Sequence, residues 1–159
     1  MVTYNTIMLK GSPQRREGLA SGAITPGHLL EYTSAAADTF IVHATAAGNN
    51  NRIFAAENEI GVGYAGPEAP TIDTAYASGA MILAFLFRPG EEVYALLAAA
   101  ATAVVKGAYL ESAGDGTLRT TTAAAATANT ARNGIVAQAM ESVDNSAGGT
   151  AARIRVMIV

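Results

Sequence analysis

Gly27-His28-Leu29-Leu30-Glu31 returns as Gly107-Ala108-Tyr109-Leu110-Glu111, about 80 residues further along the chain. Asp38-Thr39-Phe40 is answered by Gly116-Thr117-Leu118, and Ile53-Phe54-Ala55-Ala56 by Ile135-Val136-Ala137-Gln138, in the same order and at nearly the same spacing. Three collinear matches between short segments bounded by turn residues point to a duplicated β unit. A chain made of two copies of one hairpin-based unit reads as a scaffold or surface module rather than an enzyme.

In the first copy, Pro26-Gly27 fits the second and third positions of a type II turn. Residues 29–33 follow as a strand, and the β-branched, aromatic stretch 39–43 returns as its hairpin partner. After a polar loop at 48–51, residues 52–59 give a third strand. Residues 80–87 are the clearest strand of all, with Met81, Leu83, Phe85 and Phe87 on one face and Ile82, Ala84 and Leu86 on the other. Apolar on both sides, such a strand belongs in a sheet centre or against another subunit. Arg88-Pro89-Gly90-Glu91 reads as a second Pro-Gly turn from which 93–97 pairs back.

In the second copy, 109–112 and 117–120 are joined across Gly114-Asp115-Gly116, a strong hairpin signal. The Ala/Thr-rich stretch 120–132 reads as a surface loop, and 133–142 and 153–159 supply two further strands. Ile154, Val156 and Ile158 alternate with Arg153, Arg155 and Met157 in the last one. Residues 95–105 combine helix-forming alanines with Thr102, Val104 and Val105, so both helix and strand remain open there. About nine short strands spaced by turns give a mainly β chain, a compact β-barrel or β-sandwich built from a duplicated hairpin unit. Residues 22–159 form one β-rich domain in this reading. Residues 1–21, with no periodicity and one apolar cluster at Ile7-Met8-Leu9, form an extended N-terminal arm.

Composition narrows the function. Half of the 159 residues are apolar, but 35 of those are Ala, which buries little area, so the large hydrophobes must be concentrated. The absence of Cys excludes disulfides and thiolate metal sites. A net charge of −3 argues against a nucleic-acid partner, although Lys10, Arg15 and Arg16 against Glu17 leave the arm positive. The longest apolar runs are far shorter than the roughly 20 residues that cross a bilayer. Residues 1–16 also lack a secretory pattern. The expectation is a soluble chain made in the cytoplasm, with no membrane partner.

Candidate chemistry is sparse. Gly61-Val62-Gly63-Tyr64-Ala65-Gly66 spells a dinucleotide motif, but Pro67 and Pro70 follow and would break the helix that motif requires. Glu57 and Glu59 share a strand face and are a weak candidate for a cation, whereas Glu91 and Glu92 point to opposite faces. His28 follows a turn and His43 ends a strand, and two isolated histidines do not make a zinc site. Both are expected as surface or turn residues. No catalytic residue, metal or cofactor is expected.

Residues 24–31 followed by 53–57, then Arg88-Pro89-Gly90-Glu91-Glu92-Val93-Tyr94, then Lys106-Gly107-Ala108-Tyr109-Leu110-Glu111-Ser112-Ala113-Gly114-Asp115-Gly116-Thr117-Leu118, resemble the head decoration, or cement, proteins of tailed bacteriophages. The resemblance runs from about residue 22 to the end and rests on turn-and-strand signatures. It implies a virion protein on the outer capsid surface, a homotrimer that binds the major capsid protein and cements neighbouring coat subunits. In that reading Ile7, Met8, Leu9, Lys10, Arg15 and Arg16 form a capsid-contact arm, pairing with a coat strand by β-addition. Met81, Leu83, Phe85 and Phe87 form the oligomer interface. The alternative is a tail or fibre module that binds a host glycan or receptor, and a weak contact with host-surface glycan is compatible with either.

Overall fold

The computed structural model describes residues 4–34, 36–58, 72–121 and 134–159. Among them eleven strands are formed: β1 (Met8–Lys10), β2 (Gln14–Ala20), β3 (Leu29–Tyr32), β4 (Thr39–Val42), β5 (Ile53–Ala55), β6 (Met81–Leu86), β7 (Glu92–Leu97), β8 (Tyr109–Ser112), β9 (Leu118–Thr120), β10 (Ile135–Ala139) and β11 (Ala152–Ile158). The fold is mainly β, and the choice between barrel and sandwich falls to the barrel. The sequence motif at 61–66, Glu59 and most of the Ala/Thr-rich stretch lie outside the described residues.

The duplication is visible in the strand pairing. The first barrel closes in the order β2-β4-β3-β5-β6, with β6 antiparallel to β2 along its length, from Gln14 opposite Leu86 to Leu19 opposite Met81. Its one parallel contact joins β2 to β4. The second barrel repeats the scheme: β7, β9, β8, β10 and β11 follow in the same cyclic order, and its one parallel contact joins β7 to β9. The short strand β1 is added to the free edge of β7, Met8 facing Val93.

Two linked cores fill these barrels. Ala20, Leu30, Phe40, Ile53, Ala55, Ile82 and Ala84 fill the first. Leu97, Leu110, Leu118, Val136, Ile154, Val156 and Ile158 belong to the second. Leu29, Phe54 and Phe87, on the outside of the first barrel, join the second barrel's cluster and seal one barrel to the other. Polar contacts cross the same boundary. The Leu29 amide donates to the Gly116 carbonyl at 2.7 Å, and the Ala47 amide to the Ser112 carbonyl at 2.9 Å. Arg153 on β11 pairs with Asp73 at 2.9 Å, donates to the Pro26 carbonyl and lies over the Tyr94 ring.

Two expectations are corrected here, and one open alternative is decided. The stretch expected as an extended arm is built into the body over its described residues 4–21, because β2 is a wall of the first barrel and Ile7 is fully buried against the second core. The Glu57 carboxylate accepts hydrogen bonds from the Thr6 hydroxyl and the Ile7 amide, and Glu91 accepts from the Ser12 amide at 2.7 Å, so side chains further along the chain hold the segment in place. The turn at 88–91 does not return β7 onto β6. Both edges of β6 are already taken by β2 and β5, so the chain leaves the first barrel at that turn and starts the second. Residues 95–105 form no helix: β7 runs to Leu97, and beyond a turn Val104 bridges Val143.

Candidate functional site

Two surfaces of the first barrel carry residues with work left to do. The first is the outer face of β2 and β6. Opposite residues on paired antiparallel strands share a face, so Leu19 and Met81 lie side by side, with Glu17 beside Leu83 and Arg15 beside Phe85. Leu19 and Met81 are 48% and 53% exposed, and Leu83 is half-buried. Arg15 is paired with Glu17 at 2.7 Å within the same row.

The face is apolar at one end only. Phe85 packs against the cluster of the second barrel and meets the Phe87 ring edge-on, and Phe87 is buried there. The proposed interface of Met81, Leu83, Phe85 and Phe87 is therefore divided, because the second barrel docks over half of that face. Phe87 is corrected to an intramolecular contact, while Met81 and Leu83, joined by Leu19, remain open to solvent.

The second surface is the mouth of the first barrel. By register Arg16 is an inward-facing residue of β2, but it lies where the barrel opens. A depression of about 370 Å³ is lined there by Arg16, Tyr32, Asn50, Arg52, Leu86 and Arg88 among others. Arg52 just precedes β5 and holds a left-handed backbone at φ 54°, which a residue with a side chain adopts at a cost of ~1–3 kcal/mol. Its Nε and the Nδ2 of Asn50 are buried with no hydrogen-bond partner. Tyr32 stacks on Phe40 at 4.8 Å and remains half exposed.

Of the expected capsid-contact residues, Ile7 is buried and Leu9 partly so, whereas Met8 sits at the edge of exposure and Lys10, Arg15 and Arg16 are exposed. The fold brings Arg15 and Arg16 to opposite faces of one strand and leaves Lys10 elsewhere, beside β7.

His43 corrects a further expectation. It is 1% exposed, between the barrels, with Nδ1 2.8 Å from the Ser112 hydroxyl and Nε2 2.9 Å from the Asn49 carbonyl. The Ser112 oxygen also accepts from the Gly114 amide. Those partners assign the proton to Nε2, which donates to Asn49, and make Nδ1 the acceptor from Ser112. The Glu31 carboxylate is 3.7 Å from Nε2. A serine, a histidine and a glutamate thus lie together, and with Ser112 fully buried the group acts as a pin between the barrels. His28 is in its turn as expected, Nδ1 accepting from the Thr25 amide, and burial is the main force lowering its pKa. Glu57 is engaged by the N-terminal segment, and among the described residues no cluster of acidic and histidine side chains is arranged to hold a metal.

The fold so defined is a tandem of two five-stranded barrels with identical strand pairing. Compared as a sequence, the chain matches no known family and no curated protein. As a structure it is similar to the N base of the head fiber gp8.5 of bacteriophage phi29, at a TM-score of 0.57 and 11% identity, over 93% of this chain and 95% of that one. The likeness is one of fold, and it extends over both barrels.

Proposed function

We propose that this chain is a structural protein of a tailed-phage virion, bound to the outer surface of the capsid as a homotrimer that cements neighbouring major capsid subunits. The observation that carries the reading is the two-barrel fold, shared along almost its whole length with the base of a phage head fiber. The exposed Leu19 and Met81, with the half-buried Leu83 beside them, support the oligomer, since adjacent apolar side chains on one strand pair suit a second copy of the same face. Three linked copies gain avidity for a repeating lattice without any single strong contact. The exposed Lys10, Arg15 and Arg16 supply cationic contacts to coat protein. Neither nucleic acid nor membrane is a partner in this reading, and no catalytic step is involved.

The test is co-sedimentation with empty, expanded heads, together with light scattering of the free protein. Binding by a trimer that strengthens the heads against heat supports the proposal, and a monomer that leaves the heads unbound overturns it. Leu19→Lys combined with Met81→Lys is expected to yield a folded monomer that binds heads at least tenfold more weakly.

A further inference from the structure

Three arginines from distant parts of the chain meet at the mouth of the first barrel. Arg16 comes from β2, Arg52 from the entry to β5 and Arg88 from the exit of β6. Every other arginine with a described side-chain ion pair meets an acid: Arg15 meets Glu17, Arg119 meets Glu111, Arg153 meets Asp73 and Arg155 meets Glu92. These three have no acidic partner within ion-pair distance among the described residues. Arg16 is braced by the Gln14 side chain at 3.2 Å. The Arg52 Nε and Asn50 Nδ2 donors are withdrawn from water without an acceptor, which is costly unless something supplies one.

We infer that this mouth binds a carboxylated sugar residue of an acidic polysaccharide. A guanidinium takes a carboxylate by paired hydrogen bonds. The amides of Asn50 and Asn51 suit ring hydroxyls, and the half-exposed Tyr32 ring offers a flat apolar surface to the C–H face of a sugar. The volume of about 370 Å³ is that of one or two sugar rings rather than of an extended chain. Two other anionic partners fit less well. A peptide that binds by adding a strand needs an open sheet edge, and the barrel here is closed; an acidic peptide held by side chains alone is the triglutamate arm of the test. A polyphosphate carries its charges close together, and on leaving the mouth it would run onto Glu17 and Asp38, which line the adjoining groove with Arg15, Arg16 and Tyr32. One negative charge per sugar unit matches an isolated basic mouth. This site is separate from the oligomer face and shares only Arg16 with the proposed capsid contacts, and its test on the free chain does not depend on attachment to a capsid.

The test is calorimetric titration of the full chain at low salt with trigalacturonate, with neutral galactotriose, with triglutamate and with inorganic phosphate. Trigalacturonate is expected to bind in a 1:1 ratio per chain, with galactotriose silent and the other two at least tenfold weaker. Arg52→Gln and Arg88→Gln should each weaken binding about tenfold. Arg88 lies in an exposed turn, so its variant keeps the native melting temperature and remains informative if Arg52→Gln fails to fold. Failure of trigalacturonate to bind, equal binding of triglutamate or phosphate, or affinity unchanged in the Arg88 variant would each overturn the assignment.

Discussion

The two barrels share one pairing scheme but treat equivalent residues in opposite ways. Leu29 faces outward from the first barrel and is fully buried, because the second barrel covers it; its counterpart Tyr109 is 49% exposed. Glu31 is half-buried near His43, whereas its counterpart Glu111 is buried and paired with the cross-strand Arg119 at 2.9 Å. Inward positions, by contrast, are repeated: Leu30 and Leu110 are both core residues. Each barrel must close around its own interior, so that face repeats. The outward faces diverge because each copy meets a different neighbour.

The inward face of the first barrel is most sensitive at Gly18. A Cβ there would lie 2.2 Å from the Asp38 carbonyl oxygen and 2.9 Å from the Phe40 ring, where β2 meets β4 to close the first barrel. Gly18→Ala should cost about 4 kcal/mol or more, read as a large fall in melting temperature. Retention of a native-like melting curve would show that the closure is loose.

The glycines of the repeated turn give a sharper and smaller contrast. Gly27 and Gly107 both have left-handed backbones, at φ 88° and 92°. A Cβ on Gly27 would press on the Tyr94 carbonyl oxygen at 2.9 Å and on Arg153 at 3.0 Å, while one on Gly107 would meet open space. Gly107→Ala should therefore cost only the backbone term of ~1–2 kcal/mol, and Gly27→Ala at least as much again. Equal denaturation midpoints for the two would mean that the barrels are not held as close as described.

His43→Ala removes the pin between the barrels and leaves the buried Ser112 hydroxyl without its acceptor. A loss of about 2–3 kcal/mol in chemical denaturation is expected. The smallest effect concerns His28, whose folded pKa lies below its ordinary value of 6.5, mainly through burial, with Arg153 adding to the shift and Asp115 opposing it. The unfolded chain then takes up a proton near pH 6.5 that the folded chain refuses. Stability should be full above that pH, fall as pH drops below it, and level off once the folded pKa is passed. His28→Gln should flatten that part of the melting profile.

Much of this architecture is readable in the residues. The hairpin β3–β4 announces itself through the β-branched, aromatic run of β4 and β8–β9 through Gly114-Asp115-Gly116, and Ile154, Val156 and Ile158 alternate as a half-buried strand should. The strand β2 is silent for a physical reason: its inward positions are Arg16 at an open mouth, Gly18 pressed against the Asp38 carbonyl and the Phe40 ring, and the small Ala20, so no apolar alternation is left to see. The arginine mouth is silent too. Arg16, Arg52 and Arg88 each stand alone in sequence, and only barrel closure makes them neighbours. His43 reads as a strand end because nothing local reveals that Ser112 will face it.

The placement of β1 has a consequence for how the molecule is made. Strands β2 to β6 are contiguous in sequence, so the first barrel can close while the rest of the chain is still on the ribosome. The segment that precedes it cannot settle then, because its partner β7 has not been synthesised. Only Glu57 is there to hold Thr6 and Ile7 until the second barrel offers its edge. In a crowded cell that edge can belong to a sister chain, and the same short pairing would then link two copies by exchange of their first strands.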